Sequence, residues 1–201
     1  MSRIQESLAG KTQTAEKKPE EAGSRSAACC VSQFTMKDGA EVTLRSIRPD
    51  DEALMAKFHE TLSDRTVYMR YFYSLSLKSR VAHERLVRVC HVDDDQEIAL
   101  VVDRDDQASG QHQILAVGRL IKLEAGNEAE VAILVSDQYQ KHGLGTELLR
   151  QLVQIARDQK LRRVSGELLR DNLAMQNIVR KLGFQSRLCL DSPSVTAILE
   201  M

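Results

Sequence analysis

The chain has 201 residues and a mass of 22.6 kDa, above the ~100–150 of a usual domain yet short of two, so one domain plus an extension is expected. Apolar residues at 42% and charged residues at 28% exclude a chain disordered throughout, a collagen-like repeat and a fibrous protein. No apolar run approaches ~18 residues, which excludes a membrane-spanning helix, and a formal net charge of −1 offers no electrostatic reason for a nucleic-acid partner.

Residues 1–33 are rich in Ser, Thr, Gln, Lys, Glu, Ala and Gly, and only Met1, Ile4, Leu8 and Val31 are sizeable apolar groups. Such a stretch cannot bury enough surface to offset its ordering entropy, and reads as a flexible tail before a domain spanning 34–201. Its 5 basic and 4 acidic residues nearly cancel, so it is not a basic arm. No apolar signal core follows Met1, and an unprocessed cytoplasmic protein is expected. The cysteines, Cys29, Cys30, Cys90 and Cys189, are neither disulfide-dense nor paired at zinc-ligand spacing. They suit a reducing compartment, and no metal site is expected. For the adjacent Cys29 and Cys30, plain thiols are the simplest reading, with a lipid or redox role as the alternative.

Glu41 to Ile47 reads as the first strand, with Val42 and Leu44 on one face. Pro49-Asp50-Asp51-Glu52 then provides a stop and acidic residues suited to a helix start, and Leu54, Met55, Phe58 and Leu62 share one helical stripe. A second helix is expected over Asp64 to Phe72 and a third over Ser79 to Cys90. Tyr68, Tyr71, Phe72 and Tyr73 hold half of the aromatic inventory of 4 Tyr and 4 Phe; they are either packing or an acceptor-site wall, and packing is the plainer reading. Extended patterns follow at Glu97 to Val102 and Gln113 to Leu123, joined by a polar turn over Asp103 to Gln111.

After a turn at Gly126-Asn127, the strand Glu128 to Val135 divides into a Glu128, Glu130, Ala132, Leu134 face and a Val131, Ile133, Val135 face. Leu148, Leu149, Leu152, Ile155 and Ala156 form the stripe of a long amphipathic helix. Arg163 to Leu169 is another strand and Asn172 to Leu182 another helix. Gln185 to Leu190 and Val195 to Leu199 look like a closing hairpin. The sum is a mixed α/β sheet, mostly antiparallel, with one parallel βαβ crossover.

Between strand and helix lies Gln140-Lys141-His142-Gly143-Leu144-Gly145-Thr146. Closely spaced glycines let backbone N–H groups converge, and the following helix adds its positive dipole end and unpaired amides, which together favour phosphate. Lys141 supplies further charge. A Walker loop needs Gly-Lys-Ser/Thr, and the dinucleotide fingerprint needs a third glycine where Leu148 stands, so neither fits.

The remaining pattern, Q/R-x-x-G-x-G/A after an Ala/Val/Ile-rich strand, resembles the pyrophosphate-binding motif of the GNAT (GCN5-related N-acetyltransferase) family. Asn172 and Gly183-Phe184 bracket a helix at family-like distance. Arg45-Ser46-Ile47-Arg48-Pro49, Met69-Arg70-Tyr71-Phe72, the stretch Glu128 to Val135 and Gly166 to Asn172 look most like the bacterial Pat-type protein lysine acetyltransferases. The resemblance covers about Val42 to Leu188. It implies the GNAT fold, with a splay between the Glu128–Val135 and Arg163–Leu169 strands that admits the pantetheine arm of acetyl-CoA. Main-chain groups of the Ile133, Leu134, Val135 segment then pair with that arm and stabilise the oxyanion. Amides from Lys141 through His142, Gly143, Leu144 and Gly145 to Thr146 hold the pyrophosphate, with Gln140 opening the motif. Asn172 faces the pantetheine. For His142, a phosphate contact and a solvated side chain stay open.

An attacking lysine must be neutral although its free pKa is near ~10.4, so a base is useful. Glu130, ten residues before Gln140, occupies the place of the general base in related lysine acetyltransferases, and burial beside Val131 and Leu134 is expected to raise its pKa. Glu128 is the local rival. The pattern departs from the family at Val179, where many relatives carry a tyrosine general acid, and at Met175, where a small residue is usual. A thiolate of pKa near ~8.5 leaves without a donor, so catalysis survives the departure. Tyr139 is read as packing; His59, His83, His91 and His112 share no spacing and receive no role. Cys90 and Cys189 lack an identifiable His partner, which disfavours a covalent acyl-enzyme. The expectation is acetyl transfer from acetyl-CoA to lysines exposed on a protein, acyl-CoA synthetases being the first to test. A small-amine acceptor and a non-catalytic acyl-CoA sensor are the alternatives.

Overall fold

The computed structural model describes residues 32–106, 110–123, 127–188 and 192–201. The tail assigned to 1–33, with Cys29 and Cys30, therefore lies almost wholly outside the described residues, as do Cys189 and Gly126. Ser32 and Gln33 belong to a strand the sequence did not announce, β1 (Ser32–Thr35), whose lone large apolar residue, Phe34, pairs with Val42 across from it.

The remaining strands are β2 (Glu41–Ser46), β3 (Glu97–Asp106), β4 (Gln111–Lys122), β5 (Glu128–Val135), β6 (Arg163–Leu169), β7 (Gln185–Leu188) and β8 (Ser194–Glu200). They form one eight-stranded sheet in the order β1-β2-β3-β4-β5-β6-β8-β7. Neighbours are antiparallel except β5 and β6, which run parallel, as a strand–helix–strand crossover demands. This is the mixed, mostly antiparallel α/β sheet expected from the patterning.

Helices cover both faces. On one lie α1 (Glu52–Glu60), α2 (Asp64–Tyr71), α3 (Leu77–Arg80) and α4 (His83–Cys90), whose Met55, Phe58, Val67, Leu86 and Val89 pack on Ala99, Val101, Val117 and Leu134. On the other lie α5 (Leu144–Asp158) and α6 (Leu173–Lys181), and Leu148, Leu149 and Leu152 of α5 are fully buried against Leu44, Leu100 and Leu120. Each such leucine contributes about 1.5–3 kcal/mol by burial, so a charged residue at Leu152 would detach the crossover helix. Strand β3 meets both layers, which is why Ile98 to Val102 reads as an unbroken apolar run.

Two predicted boundaries move. The hairpin strands are longer than the polar composition of Asp103 to Gln111 suggested, because β3 continues to Asp106 after a register shift at Val102/Asp103. Asp103 tolerates burial there because Arg45 Nε donates to its Oδ2 at 2.8 Å while the same guanidinium grips Asp51 at 2.7 and 2.8 Å. The helix expected over Ser79 to Cys90 is two helices. Ser76 caps α3 by accepting from Ser79 N–H at 3.2 Å, and the buried Arg80 guanidinium, donating to His59 O and Leu62 O, binds the end of α3 to the end of α1.

Candidate active site

The β5–β6 ladder is short. Glu128 pairs with Arg163, Ala129 with Val164 and Glu130 with Ser165, after which the strands part, while β4 stays paired with β5 as far as Val135. From Val131 onward β5 therefore lacks a neighbour on one edge. Ser136 N–H donates to Leu115 O at 2.9 Å on the β4 side, and strand alternation turns the peptide groups of Val131, Ile133 and Val135 toward the splay. A cleft of about 1100 Å³ runs from this splay to the loop before α5. That volume suits a long, bipartite ligand rather than a compact one.

At the far end the chain turns with Lys141 at φ +67° and Gly143 at φ +98°. A side chain at Gly143 would be strained by that φ and would meet Phe34 Cζ at 3.3 Å, so only glycine serves there. An added Cβ at Gly145 would stand 3.4 Å from Ile178 Cδ1 of α6, an ordinary van der Waals contact, so packing alone does not demand glycine there. Thr146 N–H is closed internally on Gly143 O at 3.0 Å. Among the described residues no acceptor is bonded to the amides of Lys141, His142, Gly143, Leu144 or Gly145. Five main-chain donors at the start of a 15-residue helix, with Lys37, Lys141, Arg150 and Lys181 lining the same cleft, match a pyrophosphate and its neighbouring phosphate.

The structure brings most of the predicted residues into this one cleft: Glu130, Ile133, Leu134, Val135, Gln140, Lys141, Gly143, Gly145, Thr146 and Asn172 line it. Two side chains do not. Leu144 is buried in the core, leaving only its amide for a ligand. His142 turns to the β1–β2 hairpin, with Nδ1 donating to Gln140 O at 2.9 Å and Nε2 3.6 Å from Asp38 Oδ2, so it braces the loop from behind. Asn172 is the N-cap of α6, accepting from Met175 N–H at 3.2 Å. The Gln140 amide donates to Thr66 Oγ1 and Val135 O, tying the loop to α2 and to the end of β5.

Glu130 stands on the last rung of the β5–β6 ladder and is 9% exposed. Alternation places it with Ala132 and Leu134 on the face covered by α2. From α2 and its end, Arg65, Met69, Arg70 and Phe72 close the same part of the cleft. Burial is the largest influence on the Arg70 guanidinium and pulls it below its ordinary pKa; Arg119 and Arg85 add to that, while Tyr71 and Glu130 oppose it. The aromatic cluster divides its duties: Tyr71 is 4% exposed and packs in the core, whereas Phe72, held at φ +65° as the C-cap of α2, faces the cleft.

Several residues escaped the sequence reading. Asp137, just after β5, accepts from Ser63 N–H, Ser63 Oγ and Thr66 Oγ1, each at 2.8 Å, and so clamps the N-terminus of α2 to the start of the loop. Burial acts to raise its pKa, but those three donors outweigh burial and leave it lowered. Phe34 and Lys37 reach the cleft from β1 and its turn, and Lys37 N–H donates to His142 O at 3.2 Å. No local signal marked these, because each acts across a gap in sequence. Tyr139 packs at the edge of the cleft, its hydroxyl accepting from Arg104 Nη2 at 2.8 Å. Val179 is buried at 2% exposure and offers no proton. Cys90 is 1% exposed with its thiol pushed up to about 11, chiefly by burial, and so is no nucleophile at neutral pH. No helix among the described residues is long and apolar enough to cross a membrane.

The family model described as an acetyltransferase (GNAT) domain matches residues 41–185. An acetyltransferase of Pseudomonas aeruginosa is 25% identical over 150 residues, which is 75% of this chain and 78% of that protein. Acetyltransferase Pat of Mycolicibacterium smegmatis is 30% identical over 150 residues, 74% of this chain but only 42% of the longer relative. Among solved structures, the GNAT domain of S. lividans PAT superposes with a TM-score of 0.74 at 24% identity, covering 85% of this chain and 97% of that one. The paia N-acetyltransferase of Thermoplasma acidophilum, solved in complex with coenzyme A, superposes with a TM-score of 0.63 at 14% identity, covering 80% and 99%. At these identities the two structures are alike in fold.

Proposed function

The chain belongs to the GNAT family of acetyl-CoA-dependent N-acetyltransferases, and on that premise we propose that its acceptor is the side-chain amine of lysines on a partner protein. The reading is supported by the position of Glu130: a buried carboxylate at the point where β5 and β6 part, on the α2 face of the cleft. A lysine entering beside α2 meets that carboxylate before it meets the splay. Glu130 takes the ammonium proton, directly or through a water, and the neutral amine attacks the thioester carbonyl. Main-chain N–H groups of the Ile133–Val135 edge hold the thioester arm and donate to the developing oxyanion. The amides of Lys141 to Gly145 fix the pyrophosphate, which sets the reacting carbon against the acceptor. The thiolate leaves without a side-chain acid, Val179 having no proton to give.

The 30% identity to Acetyltransferase Pat supports a protein acceptor, and cysteine usage suits the cytoplasm. The test is incubation of the full chain with acetyl-labelled acetyl-CoA and a cell lysate, followed by mass-spectrometric location of the label. Label on lysine side chains, absent with Glu130→Gln, is the expected result. Label confined to small amines would overturn the protein acceptor while leaving the donor half intact.

A further inference from the structure

We propose that a pocket beneath α2, opening off the cleft beside Ala132, receives the far end of the acyl group, so that propionyl-CoA is held more tightly than acetyl-CoA. The inference rests on the donor half of the proposed function and is independent of the acceptor. The pocket holds about 30 Å³ among α1, α2, α4, β4 and β5. Of its lining residues only Arg70 and Ala132 keep part of their surface exposed, and both also line the cleft. Its open side is therefore the side it shares with the cleft, where Ala132 stands between Glu130 and Leu134 on one strand face.

The direction of the acyl chain follows from the strands. A thioester held on the Ile133–Val135 edge has its sulfur toward the Lys141–Gly145 amides, where the pyrophosphate lies, so its acyl group runs back along β5 toward the apex of the splay. That way is short. The ladder closes at Glu130 and Ser165, and an added Cβ on Gly166 would already stand 3.2 Å from Val131 O. On the face covered by α5 and α6, Val131, Val179 and Phe184 are core residues, 6%, 2% and 5% exposed. On the α2 face the strand presents only the methyl group of Ala132, with the pocket beside it. A carbon beyond acetyl has that exit.

The chemistry of the pocket suits an aliphatic end. Met55, Phe58, Val117 and Leu134 supply its apolar lining. Its arginines are engaged: Arg119 donates to Glu97 and to Val89 O, and Arg70 of α2 lies over the Tyr71 ring, 5.0 Å from its centroid. His59 is uncharged at neutral pH, held down to about 3 first by burial and then by Arg85 of α4, Arg80 of α3 and Arg119 of β4. Against the ~10–15 Å³ that one water needs, the volume admits one or two carbons past acetyl and no longer chain. Water is the rival occupant, and displacing it with a methyl group gains the burial of one more carbon, ~4-fold in affinity.

Calorimetry on the full chain, with no acceptor present, tests it using acetyl-, propionyl-, hexanoyl- and succinyl-CoA. Propionyl-CoA should bind ~4-fold more tightly than acetyl-CoA, and hexanoyl-CoA no more tightly than propionyl-CoA. Ala132→Val, which fills the opening with a side chain suited to a strand, should bring acetyl- and propionyl-CoA level. Should this variant fail to fold, the ratio in the unmodified chain still decides. Equal or weaker binding of propionyl-CoA, a further gain with hexanoyl-CoA, or a fourfold step that survives in Ala132→Val would overturn the pocket as the acyl site. Succinyl-CoA binding more tightly than propionyl-CoA would overturn the aliphatic occupant and assign recognition to Arg70 and Arg119. Absence of heat with all four thioesters would remove the donor half of the proposed function, and this inference with it, so the two failures are distinguishable.

Discussion

On the proposed function the donor half of the cleft offers mostly main-chain groups, from Ile133 through Gly145, with Lys37, Lys141, Arg150 and Lys181 around them, whereas the acceptor half presents side chains: Glu130, Arg65, Arg70 and Phe72. Main-chain recognition needs only a strand edge without a neighbour, a left-handed turn and a helix start, all local properties. Side-chain recognition needs α2 held over β5, and that depends on Asp137 meeting Ser63 across 74 positions of sequence. On the proposed function the donor half is therefore indifferent to the acceptor, and the acceptor half is where that choice is made.

Perturbing the halves separately should break the two apart. The largest effect is expected from Glu130→Gln, with kcat falling ~10²–10³-fold and acetyl-CoA affinity unchanged in calorimetry. A fall below tenfold across pH 6 to 9 would remove Glu130 as base. Next comes acid sensitivity on the acceptor side. His59 is held down to about 3 against ~6.5 when unfolded, so its contribution to stability is complete above pH ~6.5 and is lost as pH falls toward 3. Between pH 7 and pH 4 this amounts to about 3 kcal/mol, and denaturation of His59→Met should show that slope removed. Persistence of the full slope in the variant would assign it to other groups.

Gly143→Val sharpens the contrast from the donor side. With φ +98° and Phe34 in the way, acetyl-CoA affinity should fall ~30–100-fold while circular dichroism stays unchanged. Asp137→Asn should cost on the order of 1 kcal/mol, because its donors are exposed. Its carboxyl is lowered, so it stabilises above the ordinary ~3.9 and loses that effect as pH falls through its folded value. The variant should be flatter in that acid range, with the acceptor KM raised more than the acetyl-CoA KM. Smallest is Lys37→Ala, a two- to threefold rise in acetyl-CoA KM that vanishes at ~0.5 M salt.

How legible each half was follows from the range of its interactions. The Gln140–Thr146 pattern, the β5 alternation and the α5 stripe are short periodic signals, and the structure reproduces them. Inside that pattern the Leu144 side chain is buried in the core, which leaves the amide that was assigned to it, and the His142 side chain turns toward Asp38, since in a loop whose amides converge alternate side chains must diverge. The buried run Arg45–Asp51–Asp103 turned an expected turn into strand, which no local propensity anticipates.

What the amino-acid order determined by itself was the periodicity of each element, the glycine that allows a left-handed turn before α5, and hence the main-chain cradle, because those are consequences of backbone sterics within a few residues. The tertiary structure alone decided where β6 leaves β5, which helix walls the acceptor side, and that four arginines from four elements gather behind it. Those outcomes depend on distances between residues far apart in the chain, and only packing sets such distances.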